Sequence, residues 1–336
     1  MAGAKVSCNG VDLKNLKGIQ MVNNQSLTID LHADDYAFTV NTSLEMLDLM
    51  RDGVLDSISI IPNMTCYEEC IDLLKEAIPS LPYLPKISVH LNLVEGLQLS
   101  ASGGVSGNAL ITSTWKSLFL ASYNPLKRKS VKEMLGDEIS AQIKRVQSAI
   151  EECTDIARKC GVSCQEGLRI DSHQHTHMIP VVWDALCECL EENNLNPEYI
   201  RNSKEPLMPF IASATLWKTY SPVNMIKNRI LNFYSGKCDR YDRSNSLEPM
   251  YLWGLVMSGR MDENRVNRLY PSFIQKAEKD GRRLEILFHP DRMLASELWD
   301  GIPRHSADDF YLSTIRDIEK DGARKARQLT DFGKQS

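Results

Sequence analysis

The sequence predicts an α/β fold in which parallel strands alternate with helices, and three observations lead to this prediction. Short apolar runs with strand character alternate with helix-like stretches from about residue 27 nearly to the end of the chain, as in a parallel sheet covered by helices. The length of 336 residues is ordinary for one α/β barrel and would also permit two domains. Six of the seven histidines stand near the ends of strand-like runs, where a parallel barrel presents its active site. We therefore expect a parallel α/β barrel or an open sheet wrapped by helices.

Turn residues divide the first half of the chain into elements. Gly53, Pro62 and Pro79 end periodic runs, because glycine and proline interrupt helices and strands. Residues 94–130 are long for a connection and are predicted to lie over the active site. The predicted strands cover residues 27–31, 57–61 and 86–93, and the predicted helices cover 43–51, 67–77 and 131–159.

The second half continues the alternation, with one region that is harder to divide. Prolines interrupt the apolar runs between residues 203 and 252, where helices are predicted near 212–219 and 223–233. The weakly patterned residues 1–25 are predicted to form an N-terminal extension to a single α/β-barrel domain over 26–336. The remaining predicted strands cover 168–171, 199–201, 250–256 and 283–289, and the remaining helices cover 181–191, 264–280 and 307–332.

Composition and charge narrow the class of protein. A hydrophobic content of 43%, a charged content of 25% and a formal net charge of −5 are typical of a soluble globular protein without attraction to nucleic acid. The odd set of nine cysteines lacks paired CxxC motifs, which indicates reduced thiols and a cytoplasmic location. The N-terminal residues contain charges and no continuous apolar run, so neither a signal peptide nor a membrane partner is expected.

The motif HADDYA, residues 32–37, places two adjacent carboxylates directly after the first predicted strand. Successive side chains of a strand alternate in direction. One of Asp34 and Asp35 can therefore bind a metal while the other faces a substrate water. The alternative is a polar loop or helix cap, because aspartate is common before a helix.

Two further histidines have both a structural and a functional interpretation. His90 lies in the apolar run ISVHLNL, where a single histidine is more often a core residue with its hydrogen bonds satisfied. His289 ends the run LEILFHP and could simply cap that strand. If these strands share one rim with HADDYA, however, His289 becomes a candidate proton donor.

The most specific stretch is DSHQHTHMIP at residues 171–180. If the chain stays extended, Asp171, His173, His175 and His177 face one side, so imidazoles and a carboxylate converge where a strand enters a loop. Three histidines on one strand cannot all reach one ion and leave room for substrate. We therefore expect one of them to bind a metal and the others to line the pocket.

Together, HADDYA, SVHLNL, RIDSHQHTHMIP, YIRNS and LEILFHP resemble, in order and spacing, the YdjC-like carbohydrate deacetylases, also called the ChbG or chitooligosaccharide deacetylase family. The similarity spans about residues 27–290, and DSHQHTH is its most diagnostic part. The chain departs from the family pattern at His32, where the family usually has Asn. The resemblance implies a distorted (β/α) TIM-like barrel related to the NodB polysaccharide deacetylases.

The resemblance also implies an activity and a set of roles. The activity is removal of an acetyl group from an N-acetylated sugar, with a diacetylchitobiose-like substrate as the family default and one divalent metal ion, Mg²⁺ or alternatively Zn²⁺. The partner would be a small-molecule carbohydrate, and a homo-oligomer is an open expectation. Asp171 is our own addition, as a carboxylate that orients an imidazole. Carried over by motif, the metal ligands are Asp35, His90 and His173, the base is Asp34, the acid is His289, and the sugar-site residues are His175, His177 and Arg201.

Two other classes of function stay open. A metal-dependent phosphoesterase usually needs a second metal site, and the sequence offers one convincing set of three ligands. A non-catalytic sugar-binding protein on the same scaffold would need neither a base nor an acid, whereas Asp34 and His289 are both present.

Overall fold

The computed structural model describes residues 27–101, 109–290, 292–303 and 310–335. The predicted extension over residues 1–25 lies outside these residues. Within them, seven parallel strands form one sheet in the order β5-β4-β3-β2-β1-β7-β6. The strands are β1 (Ile29–Tyr36), β2 (Ser57–Ile60), β3 (Lys86–Leu91), β4 (Arg169–Ser172), β5 (Tyr199–Ile200), β6 (Met250–Trp253) and β7 (Arg283–Phe288).

Helices cover the outside of the sheet, and local capping signals set many of their ends. Thr39 caps the first helix through its side chain, and Gly161 and Gly281 end two others in the left-handed conformation that glycine favours. The described α-helices are α1 (Val40–Arg51), α2 (Tyr67–Ala77), α3 (Trp115–Ala121), α4 (Arg128–Cys160), α5 (Pro180–Glu192), α6 (Met208–Ala212), α7 (Pro222–Ser244), α8 (Glu263–Asp280) and α9 (Glu319–Gln335). None of them is long and apolar enough to span a membrane.

The sheet curls until its two edges meet. The chain just after β5 accepts a backbone hydrogen bond at Lys204 O from Leu252 N of β6, at 3.0 Å. Inside the curl, Arg201 Nε bonds Glu285 Oε1 of β7 at 2.7 Å. The result is a curled half-barrel whose edges are joined, among the described residues, by side chains and one backbone bond. This confirms the predicted α/β class and is consistent with a distorted barrel.

The two faces of the strands differ sharply in chemistry. The outer face, toward the helices, carries apolar residues such as Leu31, Ile58 and Val89, which are fully buried and contribute about 1.5–3 kcal/mol each. The inner face is polar, and its side chains hydrogen-bond one another across the strands, which offsets the cost of burying them. The buried inner residues are Asp30, His32, Asp34, Ser57, Ser59, Ser88, His90, Arg169, Asp171, Arg201 and Glu285.

Several element boundaries differ from the prediction. Strand β1 continues through HADDY to Tyr36, with a register shift between Ala33 and Tyr36. The predicted helix over 307–332 starts later than expected, because α9 begins at Glu319 after a short 3-10 turn, Thr314–Ile318. Residues 307–309 of this prediction lie outside the described residues. The predicted helix near 223–233 is one long helix, α7, which runs through to Ser244.

Candidate active site and metal centre

A cavity of about 440 Å³ lies at the C-terminal rim of the strands. One side of it is formed by strand ends and by the 3-10 turn His173–Met178. The other side is formed by the start of α7, the loop after β6 and the chain at 310–316. Its lining includes Asp34, Asp35, His90, His173, His175, Asn224, Lys227, Leu255, Arg260, His289, Phe310, Tyr311 and Arg316.

Asp35, His90 and His173 form a three-ligand cluster on the strand side of this cavity. Asp35 Oδ1 lies 2.9 Å from His173 Nδ1 and 3.5 Å from His90 Nε2, and one ligand atom from each residue lies within 4.8 Å of the other two. The left-handed backbone of Asp35, with φ of 73°, turns the chain at the end of β1. Two imidazoles and a carboxylate at this spacing fit a divalent cation.

Each member of the three-ligand cluster is held by a second group. Asp171 Oδ1 lies 2.6 Å from His90 Nδ1, which turns His90 Nε2 toward Asp35. Tyr311 Oη lies 2.8 Å from His173 Nε2, and Arg316 donates to Asp35 Oδ2 at 3.3 Å. Such contacts fix the ring orientation of metal-binding histidines.

The carboxylates of this rim are held in their ionised form. Burial alone would raise the pKa of Asp35, but His173 and His90 outweigh burial and hold it well below its usual value. Burial alone would lower the pKa of His90, but Asp34 and Asp171 outweigh it and raise the pKa to about 10. The rim therefore attracts positive charge, as a cation-binding site requires.

Asp34 sits beside the three-ligand cluster in a different environment. Arg201 holds it with two hydrogen bonds of 2.8 Å each, one to either carboxylate oxygen. Its Oδ2 lies 4.0 Å from His289 Nε2, and both residues line the cavity. Burial would raise the pKa of Asp34, but the Arg201 guanidinium holds it well below the usual range.

A second group of possible metal ligands, His32, Asp34 and Asp171, lies deeper in the barrel. The Arg201 guanidinium already occupies it, because Nη2 lies 2.8 Å from Asp34 Oδ1 and 3.1 Å from Asp171 Oδ2. The side chain of Arg201 therefore occupies the position where a second metal ion would have to bind.

The three histidines of DSHQHTH point to three different places. The chain stops being extended after Ser172, and Gln174 and His175 adopt left-handed φ values of 53° and 57°, so side-chain alternation no longer applies. His173 joins the three-ligand cluster, and His175 lines the cavity, with its Nδ1 3.0 Å from Ser203 Oγ. Burial, together with Lys227, holds the pKa of His175 well below its ordinary value.

His177 and Arg201 do not line the cavity, which differs from the expectation that they bind sugar. His177 is fully buried, with Ser172 Oγ at 2.5 Å from Nδ1 and Arg201 O at 2.8 Å from Nε2. Arg201 is also fully buried and is saturated by Asp34, Asp171 and Glu285. Their contacts hold the rim together beneath the surface that a substrate could touch.

Several residues in or beside the cavity were not anticipated from the sequence. Tyr311 and Arg316 fell within the wrongly predicted start of the last helix. Glu95, which accepts a hydrogen bond from Tyr311 Oη at 3.1 Å, lies shortly after β3, and its position near a strand end could have marked it. No sequence motif marked Lys227 as a cavity residue, because it lies in a helix whose bounds were predicted only approximately. Burial lowers its pKa to about 8.

Comparisons with known proteins show which proteins this chain resembles. The sequence profile of a family described as YdjC-like protein matches residues 28–154 and 168–322. A carbohydrate deacetylase of Brevibacillus brevis is 24% identical over 169 residues, which is 50% of this chain and 58% of that protein. A carbohydrate deacetylase of Danio rerio is 24% identical over 177 residues, 53% of this chain and 50% of that protein. The matches thus span only about half of the length of these relatives.

A similar fold occurs in a solved Enterococcus faecalis protein that is provisionally described as a cellobiose-phosphate cleavage protein. The two chains superpose with a TM-score of 0.51, covering 92% of this chain and 95% of the other, at 15% identity. At this identity the likeness concerns the fold alone.

Proposed function

The chain belongs to the YdjC-like family, and from this premise we propose that it is a metal-dependent carbohydrate deacetylase, which removes the acetyl group from an N-acetylated sugar. One observation carries the proposal. The three-ligand cluster lies in the same cavity as a carboxylate and an imidazole, Asp34 and His289, that are 4.0 Å apart. Hydrolysis of an amide needs a base, an acid and an electrophile in one place.

The cation would be held by Asp35, His90 and His173. When bound, it polarises the amide carbonyl and lowers the pKa of water toward ~7. We propose a single divalent ion, with Mg²⁺ as the expectation from the family and Zn²⁺ as the alternative that two nitrogen donors favour. Asp171 orients His90 in this proposal, which its 2.6 Å contact with Nδ1 supports.

Asp34 is the proposed base. As the water oxygen bonds to the carbonyl carbon, its proton passes to Asp34 Oδ2, the oxygen on the side of His289. Arg201 keeps this carboxylate ionised and oriented through two hydrogen bonds. Because its pKa is held low, Asp34 is a weak base, and it can accept a proton only from a water whose own pKa has been lowered.

His289 is the proposed acid. When the carbon–nitrogen bond breaks, a proton from His289 goes to the sugar nitrogen, so that an amine leaves and acetate remains. Phe310 packs edge-on against its ring at 6.0 Å, and the side chain is 12% exposed, toward the cavity. His175 can bond a sugar hydroxyl on the opposite side. The cavity volume of about 440 Å³ falls within the range of roughly 300–1,000 Å³ for small-molecule sites.

The phosphoesterase alternative is disfavoured, because Arg201 fills the second cluster that a second metal would need. A non-catalytic sugar-binding protein would need neither a base nor an acid, so this alternative does not account for the placement of Asp34 beside His289. The substrate, the metal, a cytoplasmic location and a homo-oligomer stay predictions.

The test is acetate release from a panel of N-acetylated monosaccharides and disaccharides, using chelator-treated protein supplied in turn with Mg²⁺, Zn²⁺, Mn²⁺ or Co²⁺. We expect release with at least one metal and none from Asp35→Asn protein measured in parallel. Phosphate release from an aryl phosphate, without acetate release from any sugar, would establish the phosphoesterase instead.

A further inference from the structure

The solvent-facing side of α7 carries apolar side chains. Ile226 and Phe233 are 62% and 79% exposed, and Val223 near the start of the helix is also exposed. Residues three or four positions apart, or two turns apart, share one side of a helix, so these three side chains project together. A surface helix normally turns its polar side outward, and α7 does the reverse. The buried side of α7 carries mostly polar groups, namely Asn228, Leu231, Ser235, Cys238, Asp239 and Asp242.

The end of α3 extends this apolar area. The hydroxyls of Tyr123 and Tyr234 lie 2.5 Å apart, and Tyr234 packs edge-on against Phe233 with ring centroids 5.1 Å apart. On either side of Tyr123 in the chain, Leu126 is 91% exposed and Leu120 is exposed as well. Single exposed apolar residues are ordinary, but a contiguous group of them marks a place where something binds. We call this group the α3–α7 surface, made up of Leu120, Tyr123, Leu126, Val223, Ile226 and Phe233.

The charges around the α3–α7 surface are positive. Residues 115–130 contain four lysine or arginine residues and no acidic residue, and α7 contains five against two. Both acidic residues of α7, Asp239 and Asp242, are buried. Arg229 and Arg240 are exposed on the same side of the helix as Phe233, and neither forms an ion pair with a carboxylate in the described part of the chain. In a chain with a formal net charge of −5, this surface is a local exception.

We propose that the α3–α7 surface docks on a membrane surface that contains anionic lipids. A helix that lies at the lipid–water boundary presents apolar side chains flanked by lysine and arginine, because the apolar groups enter the acyl boundary and the basic groups meet lipid phosphates. Tyr123 suits the same boundary, because its ring is apolar and its hydroxyl is polar. The expectation of no membrane partner came from the N-terminal residues and concerned export and spanning, whereas this surface lies on the bilayer without crossing it.

A second copy of this chain fits the α3–α7 surface less well. Pairing two copies through α7 would place Arg229 and Arg240 of each copy against the positive surface of the other. The acidic residues of α7 are buried and could not offset this repulsion, and like charges facing each other across an interface disfavour association. An anionic lipid surface meets both arginines with the opposite charge.

The α3–α7 surface reaches the mouth of the cavity. Val223 belongs to this surface and also lines the cavity, while 72% of the residue stays exposed. The cavity therefore opens at this end of the surface, and docking brings its mouth to the lipid headgroups. The proposal does not depend on the proposed function, because lipid binding is measured without a substrate.

Co-sedimentation of the full-length protein with lipid vesicles tests the proposal. We expect binding to vesicles of phosphatidylcholine mixed with phosphatidylserine and little binding to vesicles of phosphatidylcholine alone. Binding should weaken as the ionic strength rises from about 0.1 M to about 1 M, because the screening length falls from about 10 Å to about 3 Å. Arg229→Gln combined with Arg240→Gln removes two charges and should weaken binding about 30-fold. Ile226→Ser combined with Phe233→Ser should weaken it about 10-fold or more.

Matched controls change the same kinds of residue elsewhere. Phe332→Ser alters a comparably exposed phenylalanine on α9. Lys159→Gln combined with Lys279→Gln removes two exposed charges from the ends of α4 and α8, which lead into the starts of β4 and β7 and so lie at the opposite end of the barrel from the cavity. The controls should bind vesicles as the unaltered protein does, and thermal unfolding shows that each variant is folded.

Three results would overturn the proposal. The first is that the unaltered protein does not bind vesicles containing phosphatidylserine. The second is that the controls lose as much binding as the variants of the α3–α7 surface. The third is a dimer in lipid-free solution that Ile226→Ser combined with Phe233→Ser abolishes, because a second copy would then be the occupant of this surface.

Discussion

Replacing Asp171 by asparagine tests the contact that orients His90. The carboxylate lies 2.6 Å from His90 Nδ1, and both groups are buried. Hydrogen bonds to charged groups contribute about 1.5–3 kcal/mol, and each 1.36 kcal/mol corresponds to about a tenfold change. We therefore expect Asp171→Asn to weaken binding of the divalent cation by about 10-fold to 150-fold, because the amide keeps the shape and loses the charge that holds the ring.

The measurement is titration of chelator-treated protein with the cation, followed by calorimetry or by competition with a metal-sensitive dye. Asp239→Asn is the matched control, since Asp239 is also a buried carboxylate paired with two cations, Lys204 and Arg282, and it does not line the cavity. Thermal unfolding of both variants shows that each is folded. If Asp171→Asn binds the cation within twofold of the unaltered protein, the orienting role of Asp171 is wrong.

Four further predictions concern the acid, the metal and two buried carboxylates. His289→Gln should lower kcat for acetate release by about 10²–10⁴ with little change in KM; an equal loss through KM alone would mean that His289 only binds substrate. A cation at 100 times its Kd should stabilise the fold by about 2.7 kcal/mol, seen as a higher Tm than in chelator, and an unchanged Tm would contradict a site in the native state. Glu205 accepts three backbone N–H groups and one asparagine amide, so Glu205→Gln should cost about 1–3 kcal/mol of unfolding free energy, whereas the exposed Glu248→Gln should cost little in the same denaturant titration. Burial, helped by Asp239, raises the pKa of Asp242 from 3.8 to about 7. Since the folded pKa exceeds the unfolded one, its contribution to stability is lost as the pH rises from about 4 to about 7, and Asp242→Asn should flatten the fall in Tm over that range.

The sequence determined those elements whose ends depend on nearby residues. Helix α2 runs over residues 67–77 as predicted, because its apolar periodicity is closed by a proline two residues later. The approach of Asp35, His90 and His173 was expected from the family resemblance, and parallel strands that bring their C-terminal ends to one rim account for it.

Other features depend on long-range contacts that no local pattern encodes. The buried position of Arg201 depends on its ion pairs with three carboxylates on β1, β4 and β7. The local sequence YIRNS contains no information about these partners. The left-handed turn at Gln174 and His175 is rare for residues other than glycine. The prediction from sequence therefore assumed alternating side-chain directions beyond Ser172, where the chain is no longer extended. Tyr311 reaches His173 from a segment whose sequence could equally be a helix.

The ionic inner wall of the barrel constrains how this protein can be redesigned. An apolar interior accepts exchanges between side chains of similar volume. Here, however, a single side chain such as Arg201 or Asp171 neutralises several charged neighbours at once, so replacing it leaves those neighbours buried without a counter-charge. The first turns of α7 and the loop after β6 line the cavity and do not belong to this network of buried ion pairs. Libraries that seek new substrate preferences should therefore vary Asn224, Lys227 and Arg260 and leave the strands untouched.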